Sequence, residues 1–418
     1  MVRRIALIAA TAALLASASP AGAATMEEMQ KQIDDLSAAM RTMQADEAKK
    51  AAQAVPASQQ EPDGYLKQAL DRTSIGGYGE LAYIFREENG NGHGGNTFDP
   101  QRFVLYVNSG LTDWITLSSE LEWEHGGSDG GTDGSISVEQ AFLDFKLARP
   151  FNVKAGVMLV PVGALNLYHE PTNFNSTERP QVDRFLIPTT WQEMGVNVHG
   201  ALGDRVDYQL MVSPGLDGTG FAAETGLREG RQDFGKDSNR NMAVSGRLEV
   251  RPLTNLYTNL SFYAGNSAPG GKPTAYTTLA AFDGMYRVGR FDLAGEYVQV
   301  FIDRPAVLSD EIGHAMSGYW VEGAAHLMPD SWKKGKLSDS DLILFGRWSE
   351  LDTQEGGIAD PAKASGRFDR TYATFGLVFK PTTTVSVKAD YQIYGDHRTV
   401  GETPLDNNKF QIGLGFVF

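Results

Sequence analysis

The residues of this chain with chemical potential are charges rather than nucleophiles. Residues 168–191 form a long Pro-rich segment carrying Glu170, Glu178, Arg179, Asp183 and Arg184 within fifteen positions. Carboxylates and guanidiniums at such spacing suit the electrostatic handling of an ion or polar solute, acting most strongly where the local dielectric is low. Arg102, Arg247 and Arg347, elsewhere in the chain, offer themselves as partners to these groups. Other chemistry finds little support. His169, His199 and His326 are scattered without metal-ligand spacing, and nothing marks a Ser–His or Asp–His pair. Ser128 to Gly134 faintly resembles a calcium loop but lacks the closing Glu and suits a flexible tip. The chain has no Cys. No enzymatic activity, cofactor or metal is expected. A net charge of −15 argues against nucleic acid as a partner.

The elements that must position these charges are strands. From Ile75 to the last residue the apolar pattern has period two. In Trp114 to Glu124, Ile115, Leu117, Leu121 and Trp123 share one face, and Thr116, Ser118, Glu120, Glu122 and Glu124 share the other. Val385, Val387, Ala389, Tyr391 and Ile393 oppose Ser386, Lys388, Asp390 and Gln392 in the same way. Successive side chains point to opposite faces of a sheet, so each segment divides an apolar environment from a wet one. About sixteen such segments can be counted, each roughly ten residues long, which is the span of a tilted strand across a bilayer. Short turns such as Leu111-Thr112-Asp113 and Pro252-Leu253-Thr254 alternate with long Gly/Asn/Asp-rich loops, among them 88–99, 125–137, 215–239 and 350–368. That asymmetry between two rims is the pattern of a bacterial barrel.

Periodicity alone also fits a soluble β-sandwich with the apolar faces turned inward. Two features favour lipid outside. Aromatics recur on the apolar faces, including Tyr83, Phe85, Phe103, Trp123, Phe262 and Tyr297, as suits a membrane interface. The chain then ends on Phe410, Ile412, Leu414, Phe416 and Phe418 in strict alternation. This resembles the terminal strand by which outer-membrane proteins are recognised by the barrel-assembly machinery. The expected fold is all-β, a transmembrane antiparallel β-barrel of about sixteen strands spanning 75–418, in contact with outer-membrane lipids.

The N-terminal region reads differently. Met1-Val2-Arg3-Arg4, the apolar run Ile5 to Leu15, and Ala21-Gly22-Ala23 have the form of a secretory signal peptide, 1–23. Residues 24–50 suit a helix on the periplasmic side of the outer membrane. Met26, Met29, Ile33, Leu36, Met40 and Met43 form an a/d seam, which fits a coiled coil and also a lone amphipathic helix. Residues 51–74, with Pro56 and Pro62, read as a linker.

The segments His169-Glu170-Pro171-Thr172-Asn173-Phe174, Glu178-Arg179-Pro180 and Ile187-Pro188-Thr189-Thr190-Trp191-Gln192-Glu193 carry a further reading. With Gly77-Tyr78-Gly79-Glu80 and Arg102 to Tyr106, they resemble the phosphate-selective porin family in its broad sense, over roughly residues 75–418. The resemblance implies a sixteen-stranded, trimeric outer-membrane porin, with some members carrying an N-terminal coiled coil. It also implies that residues 168–191 fold into the lumen and narrow it, making Glu170, Glu178, Arg179, Asp183 and Arg184 a pore constriction facing Arg102, Arg247 and Arg347. Inferred inner-face positions carry Arg86, Lys154, Arg251 and Lys388 but also Glu80, Glu122, Glu249 and Asp390. With no continuous basic track, passage of small hydrophilic solutes or ions is the expected activity rather than phosphate selectivity. A structural barrel that tethers the membrane through its periplasmic helix stays open as the alternative.

Overall fold

A computed structural model describes residues 69–87, 95–126, 134–232, 241–358 and 360–418. The signal peptide, the 24–50 helix and the linker up to residue 68 lie outside the described residues. The end of the expected linker, 69–71, is a helical turn, and the first strand begins at Thr73.

Sixteen strands close on themselves, each antiparallel to its two neighbours. They are β1 (Thr73–Arg86), β2 (Gly95–Gly110), β3 (Ile115–Glu124), β4 (Ser135–Ala148), β5 (Phe151–Leu159), β6 (Gln192–Ala201), β7 (Val206–Pro214) and β8 (Met242–Leu253). The second half comprises β9 (Leu256–Asn266), β10 (Tyr276–Val288), β11 (Phe291–Ile302), β12 (Ala315–His326), β13 (Asp341–Asp352), β14 (Asp369–Thr382), β15 (Val385–Asp396) and β16 (Lys409–Val417). Closure pairs β1 with β16, from Tyr78 opposite Val417 to Arg86 opposite Lys409. The Phe418 N–H donates to the Gly77 carbonyl at 2.9 Å, and the Gly77 N–H donates back at 3.0 Å. Gly77 is required there, because a Cβ would lie 2.1 Å from the Val104 carbonyl oxygen.

The alternation resolves as apolar outside and polar inside, which removes the sandwich alternative. On β16, Phe410, Ile412 and Leu414 are exposed outward, while Lys409 and Gln411 are buried inward. Phe103, Leu248, Phe262, Phe282, Leu344, Trp348 and Phe375 continue this exposed apolar belt around the barrel. In water such a belt would drive association; in hydrocarbon it is the favoured surface, and closure leaves no strand edge to be desolvated. Among the described residues no helix is long and apolar enough to cross a membrane.

The rims differ. One carries tight turns at 111–114, 149–150, 202–205, 254–255, 289–290 and 383–384, together with one longer connection, 327–340; the other carries the long loops. β2 starts at Gly95, well before the alternation becomes legible, because Tyr83 and Phe98 pair across β1 and β2 with ring centroids 4.5 Å apart.

The apolar core lies inside the barrel, towards the long-loop rim. Val298, Val300 and Ile302 of β11, with Leu279, Met316, Trp320, Leu351 and Tyr372 of neighbouring strands, point inward and are buried. They are covered by Leu165, Val182, Leu186, Ile187 and Trp191 of the 160–191 loop and by Leu216, Phe221 and Leu227 of the 215–232 loop. Each such aliphatic side chain removed from water stabilises the packing by about 1.5–3 kcal/mol. The inner face of β10–β14 is therefore dry where the loops lie on it, and a smaller buried apolar cluster, Ala324, Ile343, Phe345 and Val378 of β12–β14, lies nearer the short-turn rim.

Candidate pore constriction

The 160–191 loop leaves β5 and returns into β6, and its two ends are stapled by one side chain. The Asn166 Nδ2 donates to the carbonyls of Val160 at 2.8 Å and Trp191 at 3.1 Å, and its Oδ1 accepts from the Trp191 N–H at 2.7 Å. Asn166 lies in the short helix α1 (Ala164–Leu167) and is wholly buried. Sequence reasoning did not single it out; a lone Asn in a loop carries no such signal. Gly163, at φ +69°, begins the inward turn, where a Cβ would meet Ile187 at 2.6 Å. Its N–H donates to the Ser261 hydroxyl on β9 at 3.1 Å, and its carbonyl accepts from the Arg247 guanidinium on β8 at 2.8 Å.

From this base the loop reaches the opposite wall. The Lys380 ammonium of β14 donates to the Thr172 carbonyl, and that of Lys388 on β15 donates to the Ser176 carbonyl, each at 2.9 Å. Asn175 donates to Glu322 of β12 at 2.8 Å, and the Thr177 N–H donates to Asp390 of β15 at 2.7 Å. Glu178 pairs with Lys409 of β16. Burial opposes its ionisation, but Lys409 and Arg184 outweigh that and hold the carboxyl at about 2. On the near side, His169 sits between the Asn166 carbonyl at 3.0 Å and Glu139 of β4 at 2.9 Å. Burial disfavours its charge, yet Glu139 overrides this and raises the imidazole to about 9. Glu139 itself is turned inward by a bulge, where Glu120 and Leu121 pair with Gln140 and Val138. A segment tied to β4, β8 and β9 at its base and to β12, β14, β15 and β16 at its far end crosses the lumen.

The crossing leaves a cavity on each side. One, of about 660 Å³, opens towards the long-loop rim against β1–β4; the other, of about 790 Å³, opens towards the short-turn rim against β9–β14. Phe174 borders both, with the Lys388 ammonium 3.8 Å above its ring centroid.

The eight charges singled out in the sequence divide among three places. Arg102, Glu178, Arg179 and Arg184 come together around the first cavity. Arg102 is paired there with Glu80 at 2.9 Å. Arg347 lines the second cavity, beside Glu322 at 3.4 Å. Asp183, Arg247 and Glu170 line neither. Asp183, in α2 (Gln181–Phe185), is buried against β12 and accepts from the Trp320 indole N–H at 2.9 Å. Arg247 is buried beside the loop base, and Glu170 accepts from Asn173 at 2.6 Å.

Sequence reasoning missed the second inward loop. Residues 215–232 had the composition of an outer tip, yet they place Arg228 and Arg231 in the first cavity. Arg228 donates to the Thr189 carbonyl at 2.8 Å, Arg231 to the Thr190 carbonyl at 2.6 Å, and Arg179 to the Thr190 hydroxyl at 2.9 Å. Burial above all, and then the neighbouring Arg231 and Arg184, push the Arg228 guanidinium below its usual range. The apolar residues Leu216, Phe221 and Leu227 were the available signal for an inward fold.

No known family's sequence model matches the chain. An uncharacterised protein of Aquifex aeolicus is 27% identical over 371 residues, covering 84% of this chain and 81% of that protein. Among solved structures, the anion-selective porin from Comamonas acidovorans aligns with a TM-score of 0.55 at 13% identity, over 83% of this chain and 99% of that one. Salmonella typhi OmpF, in complex with daunomycin, aligns at 0.53 and 12% identity, over 83% and 97%. The outer-membrane protein OmpT of Vibrio cholerae, in its trimer form, aligns at 0.50 and 13% identity, over 83% and 99%. At these identities the likeness is one of fold. The chain folds as a closed sixteen-stranded barrel similar to those of outer-membrane porins.

Proposed function

We propose that this barrel is a passive channel of the bacterial outer membrane, carrying small hydrophilic solutes or ions, with the 160–191 loop as its constriction. The observation that carries this reading is the loop tied to both walls with a charged cavity on each side. On the loop side of the outer cavity Arg179, Arg184, Arg228 and Arg231 outnumber Glu178 and favour anions, while its wall carries Arg86 and Arg102 against Glu80, Asp99, Glu122 and Glu124. The inner cavity also has both signs, with Arg287, Arg347 and Lys380 beside Asp283, Asp292, Glu322 and Asp341. An anion preference by this route needs no continuous basic track. The motifs of the 168–193 segment support kinship with the phosphate-selective porins, and phosphate belongs among the anions to be tested.

In this reading the long-loop rim faces outward, and residues 24–50 form a trimerising helix in the periplasm. The barrel-assembly machinery reads the strand ending at Phe418. One observation favours a different reading. The apolar core packed between the two loops and β10–β14 closes that side of the upper lumen, as a non-conducting structural barrel would have it. Single-channel recording in planar bilayers, with reversal potentials in asymmetric KCl, tests both. Discrete conductance steps with a chloride preference are expected; a barrel that inserts without steps would select the structural reading.

A further inference from the structure

The second inward loop is held by contacts whose geometry centres on Arg370 of β14. We infer that Arg370 is a positioning residue of the pore: it pins the 215–232 loop over the 160–191 loop, so that the two act as one partition. The inference rests on the channel reading and adds a second structural determinant of pore size to it.

Arg370 is almost fully buried inside the barrel. One Nη donates to the Glu224 carbonyl at 2.9 Å, and the other donates to the Thr353 hydroxyl at 3.3 Å. The Thr353 hydroxyl in turn donates to the Ala223 carbonyl. The guanidinium lies 4.9 Å from the ring centroid of Phe185, the last residue of α2. One side chain therefore touches the tip of the second loop, the returning limb of the first, and the wall between β13 and β14.

The two loops also meet directly. The Leu227 N–H donates to the Phe185 carbonyl at 2.9 Å. Gly226, at φ +59°, lets this happen, since a Cβ there would lie 2.6 Å from the Phe185 carbonyl oxygen. Beyond the contact, Arg228 and Arg231 bind the Thr189 and Thr190 carbonyls. At its other end the second loop is tied to β9, where the Tyr263 hydroxyl accepts from the Leu216 N–H at 2.8 Å.

Loop backbone is ordinarily stabilised by its own turns or by water; here the carbonyls of Ala223 and Glu224 are satisfied from the wall instead. Removing the guanidinium releases the Glu224 carbonyl directly and deprives the Thr353 hydroxyl, which holds the Ala223 carbonyl, of the donor that orients it. A buried group held by a charge-assisted bond opens rarely, and its opening becomes more frequent when that bond is lost.

The test uses the full-length protein in outer-membrane vesicles and in bilayers. The chain has no Cys, so Ala223→Cys supplies a unique thiol at a buried position. Its reaction rate with a hydrophilic maleimide is compared with Arg370 intact, in Arg370→Ala and in Arg370→Lys. Gly226→Val separates the loops by a route independent of Arg370. Each variant is first checked for a heat-dependent shift on SDS gels, the sign of a closed barrel. In Arg370→Ala the labelling rate is expected to rise about tenfold or more, with Arg370→Lys between it and the parent. Single-channel conductance is expected to rise in Arg370→Ala and in Gly226→Val. Unchanged labelling in a folded Arg370→Ala barrel overturns the pin whatever the conductance. Faster labelling with unchanged conductance also overturns the inference, because the loop then lies outside the path. If the parent itself conducts nothing, the channel reading fails, while the labelling still decides whether Arg370 holds the loop.

Discussion

Reversing two charges at the outer cavity should shift the preference of the pore towards cations. Arg179 and Arg184 both line this cavity, and changing both to Glu alters its charge by four units. A sphere of the cavity's 660 Å³ has a radius of about 5 Å, so a centred ion lies roughly 6 Å from each side-chain charge. In water at that distance each unit charge is worth about 0.7 kcal/mol, and four units about 2.8 kcal/mol. Screening at 0.1 M salt, with a Debye length near 10 Å, roughly halves this, leaving about 1.5 kcal/mol. That corresponds to about a tenfold loss of local anion occupancy and a similar gain for cations. The assay is the reversal potential in a KCl gradient, recorded for the parent, each single variant and the double variant. The potential should move stepwise towards the cation value, and the shift should shrink as salt is raised. An unchanged potential in a barrel that still shows its heat-dependent gel shift would refute the reasoning, placing the ion path away from this cavity.

Deleting residues 172–184 removes the crossing while leaving Asn166 and Trp191 to close the loop base, so single-channel conductance should rise; equal conductance would mean that the loop does not limit flow. Removing Phe418, or changing it to Asp, should lower the amount of assembled barrel in outer-membrane fractions several-fold. The residue closes the β1–β16 seam with two backbone bonds and stacks on Phe103 at 5.9 Å. Burial works against the His169 charge, but Glu139 raises the group to about 9, above its ordinary 6.5. A raised value means that the latch is complete below about 6.5 and is lost as pH passes through about 9. Current noise should therefore grow between pH 8 and pH 10 in the parent, with no such pH step in His169→Phe.

Most strands were legible because one face of each is apolar and points out of the barrel, which imposes period two without help from any distant residue. The alternating runs Trp114 to Glu124 and Phe410 to Phe418 lie within one residue of the observed bounds of β3 and β16. β2 begins earlier than its alternation shows, because Tyr83 extends the pairing to Phe98 from another strand. The inner face was legible only where it is wet. Val298, Val300 and Ile302 break the expected polar rule because two loops distant in sequence lie on them. For the same reason the eight candidate charges could be named but not placed. Asp183 and Arg184 are adjacent, yet α2 turns one to the Trp320 indole and the other to the open cavity.

The sequence by itself determined the strand succession, the outward apolar face of most strands, and a loop too long and too apolar to remain in solvent. These follow from local alternation and from the cost of leaving Phe174, Phe185, Ile187 and Trp191 in water. Only the tertiary structure decided where the loops go. Asn166 closes the loop base, Lys380, Lys388 and Lys409 receive its far end, and Arg370 brings in the second loop. Those contacts join residues separated by up to two hundred and thirty-one positions. No local pattern encodes such pairs, because their partners become neighbours only once the sheet has closed.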